Sequence, residues 1–460
     1  MHTAASQQDP EAPGTELTDP VDAGRGPDRR SLLALLVVLV MGGLLVGLHI
    51  HEYRQLSVYD EVQHIDYVNR LLDGGVPASG DRWLPTTVDQ VTCRTIDYPV
   101  ALPACGTPGN YSTLPNQAYT TAFIHAPGYY LVGAGAVLAA DVLPWSLDDV
   151  DVMRATGFLW LAAALALMWP MWREVGVDWR VRVGLSLALV ATPSVLLAQS
   201  TVTNDATSLA AGAAVAVATL RWERGASRLW LPVVVAVLAV FLKATSLAVL
   251  LMACAFVLIR GLQRSETVRD RWRSLVAPRA LGFVGSLAAA AVLVGIGWTA
   301  VSRARATLDE RLIPQNLTLM AGQFDLSWLT TSILSMVSPL QPQFYESALV
   351  GGAAVIVANL ANIGLLALCV VAAVRSQPGS VVRALAIAVA AAALAFGPVL
   401  TVINYVSLGV QFGIPSRYGF SLVPAMLAVA GTAVRTKLGG IALVAVGGLF
   451  YLAIALRLVA

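Results

Sequence analysis

Residues 31–50 read SLLALLVVLVMGGLLVGLHI, an apolar run that contains no Asp, Glu, Lys or Arg. A run of about 20 such residues is long enough to cross a bilayer as a helix. It is too long for the apolar part of a signal peptide, and no small-residue cleavage site follows it, so we expect a retained membrane anchor. The whole chain agrees, since its 460 residues are 57% hydrophobic and only 13% charged. The sequence therefore predicts an all-α integral membrane protein.

The segment before this anchor has a different composition. Residues 1–30 are rich in Pro, Gly, Asp and Thr and have almost no large apolar side chains, so we expect a disordered tail. Arg25, Arg29 and Arg30 precede the anchor, which predicts a cytoplasmic N-terminus. The formal net charge is only +2, and this small value does not indicate a nucleic-acid partner.

Further apolar stretches predict a bundle of about 11–13 transmembrane helices over residues 31–460. After the anchor they lie at residues 122–140, 152–172, 181–199, 204–221, 229–260, 280–300, 347–374, 383–405, 418–434 and 438–456. The stretch 229–260 is too long for one straight crossing, so two short helices are expected to meet near Lys243. Basic loops should face the cytoplasm, which requires that the stretch 122–140 enters the outer leaflet without crossing. The alternative is a larger number of spans with one basic loop on the wrong side.

Two polar segments, residues 51–121 and 302–346, are predicted to be extracytoplasmic loops that carry juxtamembrane helices. Within the first, residues 67–75 (YVNRLLDGG) are typical of an amphipathic helix that ends at glycine and lies along the membrane surface. Cys93 and Cys105 lie in the same segment. Outside the cytoplasm they are expected to form a disulfide, whereas in a reducing compartment they would be free thiols.

Two neighbouring carboxylates follow the first span, in residues 51–64 (HEYRQLSVYDEVQH). Ionisable groups beside hydrocarbon are costly and indicate a functional site. Asp60 and Glu61 are therefore candidates for a general base or for ligands of a divalent cation. His64 lies on their face if the segment is helical, and it is a candidate substrate-binding residue. The alternative is a solvated acidic helix start, whose carboxylates only complement the helix dipole.

Several cations are expected on the same face as the acidic pair. Lys243 stands alone in an apolar segment, so it should face a cavity or an anion, or else extend to the membrane surface. Arg417, with Tyr418 beside it, opens a late span as a phosphate clamp or as an interfacial anchor. Arg154 is a third, weaker cation. Together they suit a phosphate-bearing ligand held beside a proton acceptor.

Two further motifs complete the candidate site. Asp205 either caps the helix that follows it or joins the acidic pair as a third carboxylate. Residues 125–130 (HAPGYY) interrupt an apolar run with Pro and Gly. His125 and Tyr129 are candidate substrate-binding residues there, and the alternative is a helix start with an interfacial tyrosine pair.

These motifs resemble those of the GT-C superfamily of polyprenyl-phosphate-sugar-dependent glycosyltransferases. The matching stretches are residues 59–61 (YDE, an acidic motif after the first span), 125–130 (similar to H-P-P-x-Y-Y), 204–205 (ND, a later acidic position), 242–245 (LKAT, similar to T-K-x-T) and 417–418 (RY, similar to an R-Y-x-x-P-type motif). Ala126 and Gly128 depart from the family pattern. The resemblance extends over most of the membrane region.

The resemblance implies a GT-C-like bundle that acts as an inverting glycosyltransferase on the extracytoplasmic face. The donor would be a sugar on polyprenyl phosphate, and the acceptor a hydroxyl of a cell-envelope glycan or lipid. Asp60 would be the catalytic base, with Glu61 and Asp205 as its support or as ligands of Mg²⁺, Mn²⁺ or Ca²⁺. Lys243 and Arg417 would bind the donor phosphate. The Ala- and Val-rich, Lys-poor composition favours actinobacterial members and hence arabinosyl or mannosyl transfer.

Two other membrane functions stay open. A transporter or flippase of lipid-linked sugars should place its charges near mid-membrane, on broken helices. An O-antigen-type glycan polymerase would rely on arginines in outer loops. The adjacent Asp60 and Glu61 favour the transferase over both.

Overall fold

The structure, a computed structural model, describes residues 29–97, 100–107, 110–320, 322–342 and 344–459, and these ranges contain helices but no strand. The predicted tail lies outside them, except that Arg29 and Arg30 begin the first helix. The α-helices are α1 (Arg29–Glu52), α2 (Glu61–Leu72), α3 (Pro85–Arg94), α4 (Gly128–Asp141), α5 (Asp149–Glu174), α6 (Trp179–Val190), α7 (Pro193–Ser200), α8 (Ser208–Glu223), α9 (Trp230–Leu242), α10 (Leu247–Gln263), α11 (Val268–Leu275), α12 (Pro278–Arg305), α13 (Pro314–Leu319), α14 (Ser327–Val337), α15 (Phe344–Arg375), α16 (Val381–Leu408), α17 (Val423–Gly431) and α18 (Lys437–Val459). Short 3-10 turns occur at Tyr111–Thr113, Pro115–Ala118, Ala122–Ile124, Asn204–Thr207, Ala244–Ser246, Glu310–Leu312 and Ser416–Leu422.

Seven helices in the described part of the chain are long and apolar enough to cross a membrane, as expected of a multi-pass membrane protein. The number becomes eight if α6 and α7, which bend by 68° at their junction, form one broken span. The predicted number of about 11–13 spans was higher because every apolar stretch except 122–140 was taken as a full crossing. Several of the stretches taken as crossings form shorter helices, namely α8, α9 and α17, and the stretch 122–140 contains the 14-residue α4. Nearly every residue of α8 is buried, so its apolar composition serves packing against protein rather than lipid.

The predicted break at Lys243 is confirmed. The helix α9 ends at Leu242, and Lys243 has an extended backbone with φ −161° and ψ 124°. A single 3-10 turn follows before α10 begins at Leu247. The break brings a charged side chain and a polar turn into the middle of an apolar stretch.

The helix α2 ends where the sequence predicts, and protein covers most of it. Gly74 takes a φ of +81° just after the helix, which ends it. Residues 61–69 are all buried, and Val68 packs against Gly133 of α4. The amphipathic pattern therefore belongs to a helix that is packed against the smaller apolar core of the protein.

The two predicted outer segments are joined to each other. The carbonyl of Ser79 accepts hydrogen bonds from the amides of Thr307 and Leu308, at 2.8 and 3.2 Å. The Ser79 hydroxyl donates to the carbonyl of Leu308 at 2.7 Å. The predicted disulfide between Cys93 and Cys105 is present and closes a loop within the first segment.

Two apolar cores build the molecule. The larger one joins α1, α5–α10, α12 and α14–α18. The smaller one joins α2, α3 and α4 with the N-terminal end of α5 and the turn before α8. Ala206 belongs to the smaller core and Leu209 to the larger, so the Asn204–Thr207 turn lies at their junction.

Candidate functional site

Four charged side chains from four separate segments meet at this junction. Asp60 precedes α2, Asp205 precedes α8, Lys243 lies between α9 and α10, and Arg417 lies in the Ser416–Leu422 turn. All four line one small cavity of about 40 Å³. The Nε atom of Arg417 is 3.0 Å from Asp205 Oδ2, and an Nη atom of Arg417 is 3.8 Å from Asp60 Oδ2. Lys243 pairs with the other oxygen of Asp205.

Asp60 has an unusual backbone. Its φ of 60° and ψ of 12° are in the left-handed region, which costs about 1 kcal/mol or more for a residue other than glycine. It directly precedes α2, yet its side chain makes no capping hydrogen bond. Capping of a helix start therefore does not account for this carboxylate. Local strain that serves no capping role is typical of functional positions.

The Asp60 carboxylate lies in a cleft but keeps contact with solvent. Its side chain is 49% exposed, although protein atoms surround it on several sides. This surrounding protein raises the pKa of Asp60 above its ordinary value of 3.8, while the Arg417 guanidinium acts in the opposite direction. An open carboxylate with a raised pKa suits a proton acceptor.

Asp60 also borders a second, larger cavity of about 470 Å³. Trp83, Ile96 and Asn116, among others, line this cavity. Neither Lys243 nor Arg417 lines it. The Asp60 carboxylate therefore stands between a small cavity that holds the cations and a larger one that lacks these two cations.

Asp205 is held in place by its neighbours along the chain. Its Oδ2 atom lies 3.2 Å from Thr203 Oγ1, and the Thr203 amide donates to the Tyr129 hydroxyl at 3.0 Å. Tyr129 is itself only 1% exposed. These contacts favour a positioning role for Tyr129, which fixes the turn that carries Asp205. Asp205 does not cap α8, and it shares the small cavity with Asp60 but not with Glu61, so the predicted group of three carboxylates is found only in part.

The two cations of the cavity are surrounded by aromatic rings. Lys243 is 4% exposed, so it does not extend to the membrane surface. Its Nζ atom lies 5.4 Å from the centre of the Tyr418 ring, and the Arg417 guanidinium lies 4.8 Å from the Tyr59 ring. Cation–π contacts of this kind stabilise a buried positive charge without neutralising it.

Glu61 and Arg154 form a separate buried pair. Arg154 donates from Nε to Glu61 Oε1 at 2.8 Å and from Nη2 to Oε2 at 2.9 Å. Their side chains are 0% and 2% exposed. Arg154 also donates to the carbonyls of Tyr53 and Gln55. Both groups are fully occupied, so the geometry favours a structural role over the predicted catalytic and phosphate-binding roles.

Two histidines lie beside the cavity. The Nδ1 atom of His64 is 2.7 Å from the Tyr130 hydroxyl, and the His64 and His125 rings are 5.6 Å apart. Burial, and after it the neighbouring Lys243, lowers the pKa of His125 to about 3. Burial likewise lowers the pKa of His64 well below 6.5, with a further contribution from His125. Both imidazoles are thus neutral at physiological pH and can donate or accept a hydrogen bond to a ligand hydroxyl.

The three carboxylates proposed as ligands of a divalent cation do not converge. Asp205 faces Lys243 and Arg417, whereas Glu61 faces Arg154. No group of three or more His, Cys, Asp or Glu side chains in the described ranges is placed to hold a metal ion. Positive side chains occupy the positions that a cation would need.

Asn204 is a member of the site that the sequence singled out only as the neighbour of Asp205. It lines the small cavity and is 3% exposed. Its Nδ2 atom is buried and has no hydrogen-bond partner among the described residues, although most buried polar groups have one. A buried amide without a partner is a signal that only the tertiary structure provides.

Comparison of the chain with models of protein families, with curated proteins and with solved structures gave no match. The case for a function therefore depends on the geometry of these residues and on the sequence motifs that carry them.

Proposed function

We propose that the protein is an inverting glycosyltransferase that moves a sugar from polyprenyl phosphate to a hydroxyl of a cell-envelope glycan or lipid. The position of Asp60 between the two cavities carries this proposal. The small cavity offers cations and suits the phosphate of the donor, and the larger one suits the acceptor. The base must reach the acceptor hydroxyl and the sugar together, and Asp60 borders both spaces.

The chemistry requires one displacement. The acceptor oxygen forms a bond to the anomeric carbon of the sugar while the bond from that carbon to the phosphate oxygen breaks. The hydroxyl proton passes to the Asp60 carboxylate, and polyprenyl phosphate departs with the bonding electrons. Attack from the face opposite the phosphate inverts the anomeric carbon. Lys243 and Arg417 stabilise the negative charge that develops on the departing phosphate.

The cations are already paired before the donor arrives. Asp205 contacts both Lys243 and Arg417, while Arg417 only approaches Asp60, at 3.8 Å. A donor phosphate would thus take over part of the coordination of the two cations. This exchange limits affinity for the ground state, but it places two positive charges where the leaving group gains charge.

The proposal places the cavity on the extracytoplasmic side. Both α8 and α10 begin near the cavity and end at arginines, namely Arg224 after α8 and Arg260 in the last turn of α10. Positive loops favour the cytoplasm, so the cavity would face the opposite side. Donors on polyprenyl phosphate would present their sugar on that side.

The substitution Asp60→Asn tests the base. We expect the rate of transfer from polyprenyl-phosphate sugars to fall by about 10²–10⁴-fold, since that is the usual contribution of a general base. Expression and thermal unfolding should stay unchanged because the side chain is half exposed. The matched control is Asp73→Asn, an exposed aspartate just after α2.

The pH profile gives a second readout of the same substitution. A base must be ionised, and the pKa of Asp60 is raised, so the wild-type rate should fall with acidification at a pH above 3.8. The residual rate of the Asn variant should not show this fall with acidification. Full transfer by the Asn variant would show that Asp60 is not the base.

A transporter or flippase of lipid-linked sugars is the second candidate. It is favoured by the break that carries Lys243 and by the 68° bend between α6 and α7, because transporters often bind substrate at broken helices. The two candidates differ in their products. The protein in vesicles with labelled donor would form a glycosidic product in the first case and only relocate the intact donor in the second.

A further inference from the structure

A third cavity lies at the far ends of the helices that lead away from the candidate site. The helix α8 begins just after Asp205 and ends at Glu223, and α10 begins near Lys243 and ends at Gln263. At 1.5 Å per residue each helix is about 25 Å long, close to the thickness of a bilayer core. The cavity at these far ends has a volume of about 200 Å³.

Positive charge is in excess in this cavity. Three arginines, Arg260, Arg264 and Arg279, line it together with Glu223. The Glu223 side chain is 5% exposed and accepts from Arg260 at 3.0 Å and from Arg264. Arg279 donates to the carbonyl of Trp222 at 3.0 Å and stacks on its ring at 4.7 Å. One carboxylate therefore neutralises a single guanidinium, and the cavity suits an anion.

Arg264 is the group most able to reach such an anion. Its side chain is 56% exposed, whereas that of Arg260 is 13% exposed. It shares Glu223 with Arg260, so it can turn toward a ligand while Glu223 keeps a partner. A guanidinium binds a phosphate through two parallel hydrogen bonds, which makes it a better headgroup ligand than an ammonium.

The short helix α11 gives the independent sign that this ligand belongs to a lipid. Val268, Trp272 and Val276 follow one another at four-residue spacing in and just after α11, and they are 68%, 69% and 62% exposed. Ser265 donates to the carbonyl of Asp270, and Ser274 lies beside Gly261, which holds this helix against the end of α10. An exposed apolar stripe with a tryptophan, next to arginines, is typical of a helix that lies in the membrane interface.

We propose that this cavity, formed by Arg260, Arg264 and Arg279, binds the phosphate of an anionic phospholipid headgroup. The stripe on α11 lies among the acyl chains of the same leaflet and holds the cavity at headgroup depth. Basic pockets between helices at the cytoplasmic face are suited to such headgroups. The site is separate from the donor cavity and does not depend on the proposed transfer reaction.

The test is lipid binding by the purified full-length protein in a neutral detergent. Phosphatidylglycerol and phosphatidylcholine with identical acyl chains are titrated while native mass spectrometry counts bound lipid and thermal unfolding is followed. We expect phosphatidylglycerol to bind more tightly and to raise the unfolding temperature. Arg264→Gln should weaken phosphatidylglycerol about tenfold, the usual loss for one charge-assisted contact. Arg435→Gln, an exposed arginine outside the cavity, is the matched control and should bind as the wild type does.

A second variant protects the test against misfolding. Gly261→Leu keeps every arginine but fills the cavity, and a Cβ atom at this position meets its nearest neighbours only at 3.5 Å. It should weaken phosphatidylglycerol as Arg264→Gln does. Equal binding of the two lipids, or unchanged binding in both variants, would overturn the proposal. Stabilisation by inorganic phosphate alone, with no preference for the charged lipid, would overturn it too, because the ligand would then be a soluble phosphate.

Discussion

Replacement of Glu61 by Gln distinguishes a structural carboxylate from a catalytic one. The two oxygens of Glu61 accept from two nitrogens of Arg154, from the Ser57 amide at 2.6 Å and from the Val202 amide at 2.9 Å. Glutamine keeps the shape but presents an NH₂ group to some of these donors. Each hydrogen bond to a charged partner contributes roughly 1.5–3 kcal/mol, and Arg154 is left buried without a counter-charge. We therefore expect a loss of about 3–5 kcal/mol of unfolding free energy, the usual result of breaking a buried ion pair.

The assay is equilibrium unfolding of the purified protein in mixed micelles, with Glu52→Gln, an exposed glutamate at the end of α1, as the control. The double variant Glu61→Gln with Arg154→Gln should lose less than the sum of the two single losses, because the second change removes the unpaired cation. Wild-type stability in Glu61→Gln, together with loss of sugar transfer, would refute the structural role and restore Glu61 as a catalytic group.

Two other substitutions address the cavity and its support. Lys243→Ala should weaken donor binding much more than acceptor binding, because Lys243 would hold the donor phosphate. Kinetics in which each substrate is varied in turn would measure the two effects. Equal losses for both substrates would argue against a phosphate-binding role. Gly212→Ala should lower stability by about 1–3 kcal/mol, because its Cβ would lie 2.1 Å from the carbonyl oxygen of Ser421 in the segment that follows Arg417. Gly282→Ala, where a Cβ meets nothing within 4 Å, is the control, and a thermal shift equal to it would exclude close packing at Gly212.

Much of the helical order follows from local patterns. The apolar stretches predict the helices, and the lone Lys243 predicts the break between α9 and α10. The end of α2 follows from its glycines, and the Cys93–Cys105 disulfide from their place in one polar segment. The number of spans does not follow from these patterns. An apolar helix that is buried by protein, such as α8, has the same sequence pattern as a helix that is surrounded by lipid.

The sequence likewise predicts some features of the candidate site and not others. The sequence identifies Asp60, Asp205, Lys243 and Arg417 as charges that need a reason to lie near the membrane, and the structure brings them into one cavity. The sequence does not indicate which cation pairs with which carboxylate. Glu61 is adjacent to Asp60 in the chain, yet it pairs with Arg154 from α5.

The sequence by itself determined the helical character of the chain, its apolar segments, the breaks within them and the charges at their ends. These depend on interactions between near neighbours and on the preference of each residue for lipid or water. Only the tertiary structure decided which charges neutralise one another and which face open space, as Asp60 does. The reason is that an ion pair depends on the distance between side chains in the folded protein, and residues 61 and 154 are brought together by packing that no local pattern records.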